Sequence, residues 1–140
     1  MNLLFLLTPK SEVTYVLEDF SIAKALEILE GNRYSAIPII NKKGNYVGTL
    51  TEGDILWTFK NNPDISFETA GKYNITHITR SRKTSPVSIS ADLESIYSAI
   101  MLQNFVPVID DDKIFIGIVT RKDIISYYKN QYLKLKAAEA

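Results

Sequence analysis

The chain has 140 residues, with 16 Lys and Arg balanced by 16 Asp and Glu, so its formal charge at pH 7 is zero and no bulk attraction to nucleic acid or an anionic membrane is available. The absence of cysteine excludes disulfides, thiolate metal sites and cysteine nucleophiles, and a single histidine, His77, removes most imidazole acid–base and metal-hydrolase schemes. A hydrophobic content of 46% with 23% charged residues describes a globular chain.

At the N-terminus Leu3-Leu4-Phe5-Leu6-Leu7 is apolar. It is shorter than a secretory core segment and no Lys or Arg precedes it, so it reads as a buried strand or interface segment. No run approaches the roughly 18 apolar residues of a membrane span. The expected location is the cytoplasm.

Ile22, Ala25, Leu26 and Leu29 follow the helical period, with Asp19 or Ser21 as N-cap. Ile37–Ile40 and Tyr46–Leu50 are β-rich and flank Asn41-Lys42-Lys43-Gly44, a hairpin signal. Thr51-x-x-Asp54 then opens a helix that Asn61-Asn62-Pro63-Asp64 ends. Trp57 and Phe59 on that helix are expected in the core or a dimer contact.

After a linker the same order returns. Leu93, Ile96, Tyr97 and Ile100 repeat the helical stripe, behind Ser90 or Asp92 as cap. Phe105-Val106-Pro107-Val108 echoes Ala36-Ile37-Pro38-Ile39, with the prolines 69 residues apart. Gly117-Ile118-Val119-Thr120-Arg121-Lys122-Asp123 echoes Gly48 to Asp54 at the same offset of 69. The helical stripes lie 71 apart, so the second copy lacks two residues near Gly31-Asn32. Asp110-Asp111-Asp112 occupies the hairpin position and reads as a solvated turn, because calcium ligands need alternating positions and a distal Glu. The last helix runs long, with Ile125, Tyr128, Tyr132 and Leu135 on one face. Duplicated units of this kind divide the chain into repeat one (1–60), a linker (61–75), repeat two (76–128) and a helical extension (129–140).

The doubled Thr-x-x-Asp points to chemistry. A helix N-terminus with free N–H groups suits a phosphate, and a Thr hydroxyl there adds a donor. A carboxylate three residues on can accept both hydroxyls of a ribose diol. The apolar edge at Ser35-Ala36-Ile37 suits a flat base. Together these describe a nucleotide site without a catalytic group. A nucleotide hydrolase using Asp54, Asp123, Asp110 and Glu52 around a metal is the competing enzyme reading, and no Walker-type Gly-Lys-Thr supports it. A dimerisation scaffold without ligand is the third reading.

The pattern resembles a tandem pair of cystathionine-β-synthase (CBS) domains, a Bateman module, from roughly Leu6 to Tyr128. The resemblance implies an α/β (α+β) fold in which two CBS repeats pack with pseudo-twofold symmetry, their small sheets flanked by helices. It implies clefts for adenosine ligands, a homodimer, a protein partner, and neither a catalytic residue nor a required cofactor or metal. One implied site combines Thr8, Val13, Tyr34, Ser35 and Ala36 with Thr120, Arg121 and Asp123. In it Asp123 holds the ribose, Thr120 and Arg121 the phosphate, and Ala36 lies against the base. The mirror site combines Thr79, Thr84, Asn104 and Phe105 with Thr51, Glu52 and Asp54. Phe105 stands where the first copy has small Ala36, and Glu52 stands where the second has Arg121, so the Asp123 site is favoured. AMP, ADP or ATP is expected ahead of cyclic di-AMP, whose esterified 3′ oxygens leave the aspartate one hydroxyl. Arg80-Ser81-Arg82-Lys83 is a basic linker or a phosphate contact, and Lys10 and Arg33 are further candidates to face the clefts.

Overall fold

In the computed structural model of the protein, residues 3–32, 34–80 and 84–139 are described. Arg33 and Ser81-Arg82-Lys83, singled out above, lie outside them. In chain order the elements are β1 (Thr8–Pro9), β2 (Val16–Leu17), α1 (Ile22–Asn32), β3 (Ala36–Ile40), β4 (Tyr46–Thr51) and α2 (Glu52–Asn61). There follow β5 (Val87–Ser88), α3 (Leu93–Ile100), β6 (Phe105–Ile109), β7 (Phe115–Thr120) and α4 (Arg121–Ala138).

The chain divides into two compact units. A continuous unit holds Thr14–Ser85, and a discontinuous unit holds Met1–Val13 with Pro86–Ala140. The continuous unit carries a three-stranded sheet in the order β2-β3-β4, and the discontinuous unit a four-stranded sheet in the order β1-β7-β6-β5. In each, a parallel pair (β2 with β3, β5 with β6) adjoins an antiparallel hairpin (β3 with β4, β6 with β7). Both hairpins shift register at the same place, between Ile39 and Ile40 and between Val108 and Ile109.

The hairpin turns explain their own sequences. Asn41 Oδ1 accepts from the amides of Lys43 and Asn45, and Asp110 Oδ1 accepts from those of Asp112 and Ile114. This side-chain-to-backbone turn is what Asn and Asp favour. Asp110 is therefore a turn residue, and among the described residues no acidic or histidine cluster is grouped to hold a metal. The left-handed position falls on Gly44 (φ 89°) in one turn and Lys113 (φ 65°) in the other.

Helices α1 and α3 follow the predicted stripes, whereas on α4 the predicted face of Ile125, Tyr128, Tyr132 and Leu135 is exposed and Ile124 is the buried residue. Ser21 Oγ caps α1 by accepting from the Lys24 amide at 3.0 Å, and Ile22, Ala25 and Leu29 are buried beneath it. Asp92 caps α3, over buried Ile96 and Ile100. The second copy's missing residues show as a helix of 8 residues against 11 in α1.

Each core recruits residues from outside its own repeat's helices and hairpin. In the continuous unit Ile65, Ala70, Ile75 and Ile78 join Val16, Ile22, Ile37 and Leu50, so the 61–75 segment supplies core as well as connection. In the discontinuous unit Leu3 and Leu6 join Ile96, Val106, Val108 and Val119. Full burial of such aliphatic side chains contributes about 1.5–3 kcal/mol each. The apolar N-terminus is a short 3-10 turn over Leu3–Phe5 rather than a strand, because only Leu3 and Leu6, three apart, need to face the core. The exchange is reciprocal: the leader of repeat one builds the repeat-two unit, and the leader of repeat two builds the repeat-one unit.

Candidate functional site

Local sequence sets the two Thr-x-x-Asp turns. β4 ends on Thr51 and β7 on Thr120, each in extended backbone, and each hydroxyl oxygen accepts from the amide three residues on, at 3.0 Å. Both threonines are thus helix N-caps. A hydroxyl that accepts through its oxygen keeps its proton to donate elsewhere.

The two aspartates then diverge. Asp54 is buried (3% exposed), and its Oδ2 accepts from the Thr51 amide at 3.2 Å, closing a reciprocal capping box. Asp123 is half-buried, and among the described residues no donor reaches its carboxylate. It lines a groove of about 380 Å³ with Thr8, Leu7, Ser126, Tyr127 and Lys134, all within the discontinuous unit.

Thr8 reaches the groove because β1 pairs with the edge of β7, Thr8 opposite Ile118 and Pro9 opposite Gly117. Gly117 makes this possible. At φ 156° it adopts a backbone that side chains disfavour, and a Cβ there would stand 2.1 Å from the Thr8 carbonyl oxygen. Sequence reading matched Gly117 to Gly48 but not to its task; a glycine inside a β-rich run was the available signal.

The remaining predicted residues fall as follows. Thr8, Val13, Asn104, Phe105, Thr120, Arg121 and Asp123 belong to the discontinuous unit, and Tyr34, Ser35, Ala36, Thr51, Asp54, Thr79 and Thr84 to the continuous one. Arg121 Nε donates to the Ile100 carbonyl at 3.1 Å, where the cation meets the carbonyl end of α3. Its amide donates to the Asn104 carbonyl at 2.8 Å, as the Glu52 amide donates to Ser35 at 2.9 Å. Phe105 is buried, Ala36 half-buried, and Tyr34, Ser35 and Thr79 are exposed. Thr84 is hydrogen-bonded to Tyr46 and Thr49. His77, itself exposed, ends a 3-10 turn beside Asn74.

The aromatic residues outside the sites also divide. Phe59 packs on the continuous core and edge-on to Phe67, whereas Trp57 is half-exposed. Tyr127 packs on the other core, while Ile125, Tyr132 and Leu135 on α4 are each about 60% exposed or more. Among the described residues, no helix is long and apolar enough to cross a membrane.

Comparison with known proteins agrees with this architecture. The CBS domain pattern matches residues 6–60 and again 79–130. The uncharacterized protein MJ1404 of Methanocaldococcus jannaschii is 31% identical over 122 residues; the match takes in 79% of this chain and 28% of MJ1404. The uncharacterized protein MJ1426 of the same organism is 26% identical over 138 residues, a match to 79% of this chain and 82% of that protein. Among solved structures, CbpB in complex with c-di-AMP superposes with a TM-score of 0.85 at 26% identity, over 100% of this chain and 91% of CbpB.

Proposed function

The chain belongs to the CBS domain family, with two copies in tandem, and we propose that it is a non-catalytic regulatory module that binds an adenine nucleotide through Asp123 and signals to a protein partner. The observation that carries this reading is the Asp123 carboxylate, half-buried in a groove with no protein donor among the described residues. A vicinal ribose diol supplies the two donors it lacks. The Thr120 hydroxyl proton and the terminal nitrogens of Arg121 are the donors for a phosphate. Asp54, committed to its capping box, is the weaker partner.

AMP, ADP or ATP presents the intact diol and suits the carboxylate best. Cyclic di-AMP is the second reading, supported by the full-length likeness to CbpB, whose structure holds it. We also assign the chain to the cytoplasm as a homodimer, with Ile125, Tyr132 and Leu135 of α4 at the interface. Sedimentation should then show a dimer for the native chain and a monomer for Tyr132→Asp/Leu135→Asp; an unchanged mass rules that interface out.

A thermal-shift panel tests the ligand class. Ligand at a hundred times its Kd stabilises by about 2.7 kcal/mol, which raises the midpoint by several degrees. At least one of AMP, ADP, ATP and cyclic di-AMP should do so and GTP should not. A flat panel, or an equal response to GTP, contradicts the proposal and favours a ligand-free scaffold.

A further inference from the structure

Helix α4 packs on its own unit mainly through its first half. Ile124 is buried and Tyr127 lies on the core, but of residues 128–138 every one except half-buried Gln131 is exposed. A stretch that short is marginal as a helix when water surrounds it. Ile125, Tyr128, Tyr132 and Leu135 run along it, all exposed. Their spacing is three, four and three residues, the a and d positions of a heptad, which is how one helix offers a seam to another. The seam is distinct from the groove, which takes Asp123, Tyr127, Asn130 and Lys134 from the adjoining face of the helix.

The flanks of the seam decide what fits it. In the same heptad the e positions are Lys122, Lys129 and Lys136, and the g positions are Ile124, Gln131 and Ala138. All the charge therefore lies on one side. In an antiparallel pair of these helices e faces e, so the lysine row of one copy would stand against the lysine row of the other. In a parallel pair e faces g, and Lys129 and Lys136 fall beside Ile124 and Gln131, which carry no charge. Like charges across a seam suppress one orientation and leave the other.

We propose that α4 pairs parallel and in register with α4 of a second copy, Ile125, Tyr128, Tyr132 and Leu135 each meeting their own counterparts. The pairing rests on the homodimer reading above and gives it a direction. It covers the apolar seam that α4 leaves in water. Because Asp123 lies in the first turn of α4, parallel pairing also sets the two Asp123 grooves at the same end of the dimer.

The chain has no cysteine, so introduced thiols report the pairing without interference. Two cysteines bridge only when their Cα atoms lie within about 7 Å. Leu135→Cys, oxidised with diamide and run on a non-reducing gel, should become mostly covalent dimer. Tyr128→Cys, at the other d position, should do the same, and Ala137→Cys, outside the seam, should stay monomeric on the gel. Sedimentation of each variant with reductant separates the two readings. A dimer in which neither Leu135→Cys nor Tyr128→Cys crosslinks overturns the parallel pairing and leaves the homodimer standing. So does a covalent species that forms only when Leu135→Cys is mixed with Ile125→Cys, the contact of an antiparallel pair. A monomer for all three variants and for the native chain overturns both, and leaves the lysine-flanked seam to an acidic helix of another protein.

Discussion

Gly117 shows how one residue holds both a fold and a groove. Because it has no side chain, the Thr8 carbonyl can cross it, and that crossing carries Thr8 to the groove that Asp123 lines. Gly117→Ala combines a disfavoured backbone with a clash against main chain, which cannot swing aside as a long side chain does. It should cost about 2 kcal/mol or more in urea unfolding. Gly31→Ala is the control, since nothing lies within 4 Å of a Cβ there, and it should stabilise by about 0.5–1 kcal/mol in helix α1. Equal midpoints for the two variants would contradict this account of β1. Tyr46 belongs to the same scale: burial raises its hydroxyl above the ordinary tyrosine pKa, against the lowering effects of Thr49, Thr84 and Arg80.

At the scale of elements, capping connects sequence to stability. The Asp92 carboxylate is held below the usual carboxylate range, first by the Ser95 amide it accepts from at 3.1 Å and then by the Ser95 hydroxyl at 2.9 Å. A depressed native value means that the stabilisation is present above the unfolded carboxylate pKa and disappears as pH falls through the native one. Asp92→Asn keeps an acceptor at the cap but removes the titration, so its stability should fall less steeply on the acid side in pH-dependent unfolding. Parallel acid limbs for native and variant chains would show that the cap carries no charge effect. These caps, the helical stripes and both hairpins were legible in the sequence because each is dictated by residues three or four apart. Asp54 and Asp123 were not separable there. The same four-residue motif closes a capping box in one unit and lines a groove in the other, and that difference depends on distant packing.

The whole molecule is built from two duplicated units that exchange their leaders. Repeat boundaries can be read from self-similarity, yet the compact units cut the chain elsewhere, because Leu3 and Leu6 are buried with Ile96 and Val119, and Ile75 and Ile78 with Ile22 and Leu50. No local pattern announces such an exchange, since an apolar leader is equally suited to either core. The exchange also places side chains: one leader brings Thr8 to the groove that Asp123 lines, and the other lays Arg80 against Gly48. Asp123 is proposed to grip the ribose of an adenine nucleotide. Titration calorimetry of native, Asp123→Asn and Asp54→Asn chains, each with AMP and with cyclic di-AMP, tests it most directly. Asp123→Asn should lose at least tenfold in affinity and Asp54→Asn less, its main effect being a loss of about 1 kcal/mol in stability as its cap weakens. Undiminished affinity in Asp123→Asn would contradict it.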